Sequence, residues 1–242
     1  MALKEISYKE KTFNLSYEIL NPTQEIVLLV LHGWGSNKEI MKQAFGKTLT
    51  EYKHLYLDLP GFGHSSNEII LTTQDYVAIV KLFLEALDVK PMIAMGHSFG
   101  GKVSTLLKPP CLVLLSSSGI LVEKPLSVKL KIALVKLLKP LGLAKIRSWF
   151  VAPDAKGMNH AMYETFKNVV NEYFEDNFAK SKSRVLCFWG KADTATPLFT
   201  GEKIASLIED SHFYPLDGDH FFFLYHTAFI SQTITEHCKG TH

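Results

Sequence analysis

Met92-Ile93-Ala94-Met95-Gly96-His97-Ser98-Phe99-Gly100-Gly101-Lys102 runs from an apolar segment through a serine framed by glycines. From Gly101 to Leu107 the residues suit the opening of a helix. A strand turning sharply into a helix forces the central residue into a strained turn, and glycines beside it let neighbouring backbones come close. The Ser98 oxygen is then held at the mouth of a sheet, next to the positive end of a helix. That placement makes a serine an exposed nucleophile. The plainer reading is a strand-turn-helix whose serine is incidental, so the rest of the chain must supply partners.

On either side the pattern is one of short strands alternating with helices. Phe13, Leu15, Tyr17 and Ile19 alternate with polar residues, as in a half-buried strand, and Pro22 ends the alternation. Ile26 to Leu31 is a continuous apolar run, suited to a strand buried on both faces, and Leu55 to Leu59 is a second candidate for such a strand. Thr72 to Val89 has helical spacing, with Tyr76, Ile79, Val80, Phe83 and Leu87 on one face. Thr72 and Asp75 stand at capping-box spacing. Cys111 to Leu115, Val185 to Trp189 and His212 to Pro215 extend the strand series. This alternation predicts an α/β fold with a mostly parallel sheet. It breaks between Gly119 and Ser181, where helices are expected over 126–139, 144–150 and 158–178. The expected organisation is a core formed by residues 1–119 and 181–242, with an inserted helical cap at 120–180.

The chain has 242 residues, 47% of them apolar, and a formal net charge of +2. One large core fits that length. So small a charge demands neither nucleic acid nor a membrane surface as partner. The first twenty residues carry scattered charges and no continuous apolar stretch, so they do not read as a secretory signal. No run approaches the ~18 apolar residues of a spanning helix. Cys111, Cys187 and Cys238 are odd in number and unevenly spaced, which suggests neither a disulfide framework nor a metal site. A reducing, cytoplasmic compartment is the expectation, with the cysteines as buried packing residues.

A serine alcohol is a weak nucleophile and needs a base within hydrogen-bond reach, itself oriented by an acid. After the strand 185–189 comes Gly190-Lys191-Ala192-Asp193; after the strand 212–215 comes Leu216-Asp217-Gly218-Asp219-His220. Both loops leave the carboxyl ends of strands, where open α/β sheets gather their functional groups. Ser98, Asp193 and His220 are therefore the expected catalytic residues. Asp217 and Asp219 are the rival acids, and His226, in an apolar run, reads as a packed helix residue. The loop Ser116-Ser117-Ser118-Gly119 offers no carboxylate. His32 and His97 flank functional loops and read as structural; Asp58 and His64 read as turn residues.

Taken together, these motifs resemble the α/β-hydrolase fold family, whose chain order is Ser, Asp, His. Gly96 to Gly101 resembles its nucleophile elbow, and His32-Gly33-Trp34-Gly35 its oxyanion loop. Asp58-Leu59-Pro60-Gly61-Phe62-Gly63-His64-Ser65 resembles its D-x-P-G-x-G-x-S turn. Trp189 to Asp193 resembles its W-G-x-x-D acid loop. Gly218-Asp219-His220 departs from the usual Gly-His pair by one inserted residue. The resemblance implies that the oxyanion hole uses the backbone N–H groups of Trp34 and Phe99, with Trp34, Phe99, Arg147 and Phe221 around the substrate. It implies a serine hydrolase acting on a carboxylic ester or thioester, with a small-molecule acyl substrate and with no cofactor or metal. The His-Gly-Trp-Gly loop and the cap resemble small carboxylesterases, including methyl esterases of carrier-bound pimeloyl groups. The alternative is carbon–carbon hydrolysis of 2-hydroxy-6-oxo-dienoate ring-cleavage products, whose enzymes usually carry Asn before the serine and Trp after the histidine. Here those positions hold His97 and Phe221.

Two further features stand apart. Lys124, Lys129, Lys131, Lys136, Lys139, Lys145 and Arg147 alternate with apolar residues in the cap. They read as a solvated helix face, or as a docking patch for an acidic carrier. Gly96 to Lys102 also fits G-x-x-x-x-G-K, but Val103 stands where a phosphate loop needs Ser or Thr. A non-catalytic receptor on a hydrolase scaffold is the remaining rival.

Overall fold

A computed structural model describes residues 1–122 and 159–238. Strands β1 (Ala2–Tyr8) and β2 (Lys11–Leu20) form an antiparallel hairpin, with Lys9 and Glu10 both at positive φ in the two-residue turn that matches strand twist. The remaining strands are β3 (Val27–Leu31), β4 (Lys53–Leu57), β5 (Ile93–His97), β6 (Cys111–Leu115), β7 (Arg184–Gly190) and β8 (Ser211–Leu216). One sheet holds all eight in the order β1-β2-β4-β3-β5-β6-β7-β8. β2 pairs with β4 antiparallel, and every pairing from β4 to β8 is parallel.

Helices cover both faces. These are α1 (Lys38–Phe45), α2 (Thr73–Ala86), α3 (Phe99–Leu107), α4 (His160–Val170), α5 (Glu175–Ala179), α6 (Leu198–Leu207) and α7 (Thr227–Cys238). All five residues of β3 are buried. Leu29 and Leu31 join the core built with Tyr76, Ile79, Val80 and Phe83 of α2 and Val103 of α3. Leu28 and Val30 point to the opposite face, with Met41 and Phe45 of α1 and Ile230 and Ile234 of α7. The continuous apolar run therefore serves two cores by simple alternation. The Thr72–Asp75 capping box forms at the start of α2 with both reciprocal hydrogen bonds.

Functional loops are positioned by the strand order. From β3 the chain adds β4 on one side, then returns to place β5 on the other. That reversal opens a crevice between the carboxyl ends of β3 and β5. The loop after β3 carries His32 to Gly35, and the turn after β5 carries Ser98.

Several expectations change. Cys111 and Cys238 form a disulfide joining β6 to the end of α7, while Cys187 is free and buried. An odd count of three hid a pair whose members lie 127 residues apart but adjoin in space. The expected helix over 158–178 is instead α4 and α5, parted at Asn171. The helices expected over 126–139 and 144–150 lie outside the described residues. His226 is not packed within a helix; it precedes α7, and its Nε2 donates to the Asp217 carbonyl (2.7 Å). Among the described residues, no helix is long and apolar enough to cross a membrane.

Candidate active site

Ser98 falls between the last residue of β5 and the first of α3, at φ 49° and ψ −115°. A serine held at such angles is strained, and the surroundings must fix it there. Its N–H donates to the Leu115 carbonyl (3.0 Å), and its carbonyl accepts from Gly101 N (3.0 Å) and Ser118 N (3.1 Å). A Cβ on Gly96 would strike the Gly100 carbonyl, and one on Gly100 would strike the Leu31 and His32 carbonyls. Both flanking glycines are thus required by close backbone approach, as the motif implied.

Asp193 has a fully buried side chain. Oδ1 accepts the N–H groups of Ala195 (2.8 Å) and Thr196 (2.9 Å). Oδ2 accepts the Thr196 hydroxyl (2.9 Å) and lies 2.7 Å from His220 Nδ1. Burial alone would raise this carboxyl's pKa. The hydrogen bonds from His220 and Thr196 outweigh it and hold the pKa at about 2. Asp193 is therefore ionised at neutral pH, and its oxygen fixes a proton on His220 Nδ1. The two loops are laced together by Lys191 N to the Leu216 carbonyl (2.8 Å) and Ala192 N to the Gly218 carbonyl (2.9 Å). Gly190 permits this, since a Cβ there would hit the Asp219 carbonyl. The rival acids stand elsewhere: Asp217 binds Lys191 Nζ (2.9 Å), and Asp219 Oδ1 accepts Phe221 N (2.8 Å).

His220 and Ser98 meet at one edge of the sheet. The His220 carbonyl is 3.0 Å from Nε2 of His97, the residue before Ser98, and the two imidazole rings are 4.5 Å apart. Among the described residues, His220 Nε2 and the Ser98 hydroxyl have no hydrogen-bond partner, and none forms between them. Such bonds commonly tighten only when substrate is bound.

The Trp34 and Phe99 amides also donate to nothing among the described residues. Phe99 opens α3, so its N–H is one of the orphan donors of a helix start. The Phe99 ring is buried against Trp34 (5.6 Å) and Tyr76 (5.0 Å). Trp34 also meets Phe62 (4.8 Å) and Phe166 of α4 (5.3 Å), while its Nε1 is buried without a partner among the described residues. Phe221 is 38% exposed and its ring lies 5.6 Å from that of His220. Arg147 and the basic residues from Lys124 to Lys145 lie outside the described residues.

Beneath the β3 loop sits a network that the sequence only half disclosed. Asp58 accepts Lys38 N (2.7 Å), Lys38 Nζ (2.7 Å) and His64 N (3.1 Å). Lys38 is itself fully buried and donates to Ser16 Oγ (2.9 Å). Asp58 as a turn residue was legible; its buried lysine partner was not, because lysine reads as surface. His32 donates from Nδ1 to the Gly33 carbonyl (2.7 Å) and accepts Leu59 N on Nε2 (3.0 Å), so it braces the loop as a neutral ring. Thr196 was missed too, although the residues two and three after an Asp are where a carboxylate caps backbone amides.

Lys102 cannot serve a phosphate. Its Nζ is spent on the Val169 carbonyl (2.8 Å) and Glu172 (2.6 Å), and the side chain is 2% exposed. Among the described residues no cluster of three His, Cys, Asp or Glu could hold a metal. A cavity of about 190 Å³ lined by Lys81, Leu84, Lys90, Pro91 and Lys108 lies at the amino ends of β5 and β6, away from Ser98.

The alpha/beta hydrolase fold family matches residues 26–108. A hydrolase from Pseudomonas aeruginosa superposes with a TM-score of 0.75 at 22% identity, over 96% of this chain and 97% of that one. This chain has the α/β-hydrolase fold. Relatives by sequence include an uncharacterized hydrolase of Bacillus subtilis, 35% identical over 45% of this chain and 42% of its own length. They include a pimeloyl-[acyl-carrier protein] methyl ester esterase of Shewanella woodyi, 38% identical over 38% of this chain and 33% of its own length. The chain thus matches less than half the length of these curated relatives.

Proposed function

We propose that this protein is a serine hydrolase that cleaves a carboxylic ester or thioester through an acyl-enzyme. The observation that carries the reading is the convergence of three separate loops: Asp193 Oδ2 lies 2.7 Å from His220 Nδ1, and the His220 carbonyl lies 3.0 Å from the residue preceding Ser98. Ionised Asp193 keeps the proton on Nδ1, which leaves Nε2 with a lone pair. That lone pair accepts the Ser98 proton as the serine oxygen attacks the substrate carbonyl carbon. The resulting imidazolium is stabilised by the buried carboxylate. The Trp34 and Phe99 amides take the developing oxyanion, where unspent backbone donors cost no reorganisation. His220 then returns the proton to the leaving alcohol or thiol. Water, deprotonated by the same Nε2, releases the acid.

An ester or thioester is favoured by the methyl ester esterase relatives, each matched over part of its length. In this reading the segment 120–180 serves as a lid, and its lysines as a patch for an acidic carrier. The test is a fluorophosphonate label. Stoichiometric labelling is expected, with loss of both label and ester hydrolysis in Ser98→Ala. Hydrolysis in that variant above a tenth of the parent rejects the proposal. A panel of nitrophenyl esters, carrier-linked methyl esters and a ring-cleavage dienoate then identifies the bond cleaved.

A further inference from the structure

His97 joins three parts of the site: the turn that carries Ser98, the His220 loop and the β3 loop. It ends β5 and precedes Ser98. On one edge its Nε2 is 3.0 Å from the backbone carbonyl of His220. A carbonyl only accepts, so the ring must be protonated on Nε2. Nδ1 is then a bare lone pair, buried and with no partner among the described residues. On that edge the ring abuts the β3 loop so closely that a Cβ on Gly33 would lie 2.9 Å from Nδ1. Phe223 (4.9 Å) and Phe221 (5.4 Å) close around the ring, and burial pushes its pKa down to about 3. A histidine placed only for packing gains nothing from an orphaned ring nitrogen, and a phenylalanine would fill the same space without that cost. What histidine adds here is the Nε2 donor.

We propose that His97 is a positioning residue that sets the distance between base and nucleophile, by donating from Nε2 to the carbonyl of His220. The imidazole of His220 is then tethered at two points. Asp193 holds Nδ1, and His97 holds the backbone from which the ring projects. The second tether starts from the residue bonded to Ser98, so the base loop and the nucleophile move as one body. Because the orientation of a general base enters the rate directly, misplacement by about 1 Å can cost a hundredfold. The tether acts on chemistry and leaves ground-state substrate binding alone.

The inference rests on the serine-hydrolase reading, so the experiment carries Ser98→Ala alongside. His97→Phe keeps an aromatic ring and deletes the donor; His97→Gln places an amide N–H where Nε2 stood. On the best ester of the panel, His97→Phe is expected to lower kcat at least 30-fold with KM within twofold, and to slow fluorophosphonate labelling equally. His97→Gln is expected to stay within threefold of the parent in both. A His97→Phe variant within threefold of the parent overturns the inference while a dead Ser98→Ala leaves the hydrolase reading standing. A His97→Gln variant as slow as His97→Phe also overturns it. Activity surviving in Ser98→Ala brings down the hydrolase reading instead. Nitrogen-15 histidine NMR of the unsubstituted protein gives a readout free of folding defects. Nε2–H is expected for His97, assigned by its loss in His97→Gln, and Nδ1–H overturns the proposal.

Discussion

At the residue level the decisive feature is how completely Asp193 is spoken for. Four donors share its two oxygens, from Ala195, Thr196 twice, and His220. In the proposed reaction only the last takes part in the chemistry; the other three keep the carboxylate in place and charged in a buried site. Asp193→Asn retains the volume but presents an amide that can donate to Nδ1, which favours the wrong imidazole tautomer. The expected result is a fall in kcat on the order of 10⁴ with an unchanged circular dichroism spectrum. A variant within tenfold of the parent would transfer the role to another carboxylate. Nothing in the spacing of residues 193–196 announced the hydroxyl of Thr196, because its position depends on a turn that the carboxylate itself shapes.

Among the elements, every strand but β1 was legible and several helices were not, for reasons visible in particular residues. Val27–Leu31 and Cys111–Leu115 are wholly buried, so an apolar run sufficed to find them. β1 offers one buried residue in seven, Ile6, and its charged flanks conceal it. α1 was missed because its first residue, Lys38, is buried while the pattern places lysine in water. α7 mixes threonine and isoleucine, which speak for strand as readily as helix. The segment 158–178 breaks at Asn171 because Lys102 takes the Val169 carbonyl and Glu172 is drawn to Lys102 and to Thr73 Oγ1 (2.5 Å). Of the candidate site, the loops that carry Ser98, Asp193 and His220 and the glycines beside them could be read directly; the buried cation under the β3 loop could not. That cation ties the start of α1 to the Asp58 turn. Lys38→Met should therefore leave a buried carboxylate without its counter-charge and destabilise the protein by about 3–5 kcal/mol. The shift in urea midpoint measures it, and adding Asp58→Asn should recover part of the loss. No shift in the single variant would show that the pair contributes nothing net.

Over the whole molecule, two long-range devices set stability. The Cys111–Cys238 bond closes a loop of 127 residues between the sheet centre and the last helix. Closing so long a loop restricts the unfolded chain, and reduction is expected to cost about 2–5 kcal/mol. Unfolding with and without a dithiol checks this, and denatured protein should titrate one thiol before reduction and three after. An unchanged midpoint on full reduction would refute the constraint. The second device is pH. His32 and His97 are pushed down by burial from 6.5 to about 4 and about 3 respectively. Between those values and 6.5 the unfolded chain binds protons that the folded chain refuses. The contribution is therefore fully present above pH 6.5 and is lost as pH falls. Each ring gives a slope of up to about 1.4 kcal/mol per pH unit. Asp193, held at about 2, adds a further loss only below about pH 4, where the unfolded carboxyl protonates first. Stability from urea unfolding should thus be flat from pH 8 to 7 and decline from pH 6.5 to 5, well above the range in which carboxylates titrate. Burial lowers the pKa of His54 as well, so His97→Gln removes one of three contributing rings and should lessen that decline, whereas a profile flat down to pH 4.5 in the parent would mean that none of these histidines is held neutral by the fold.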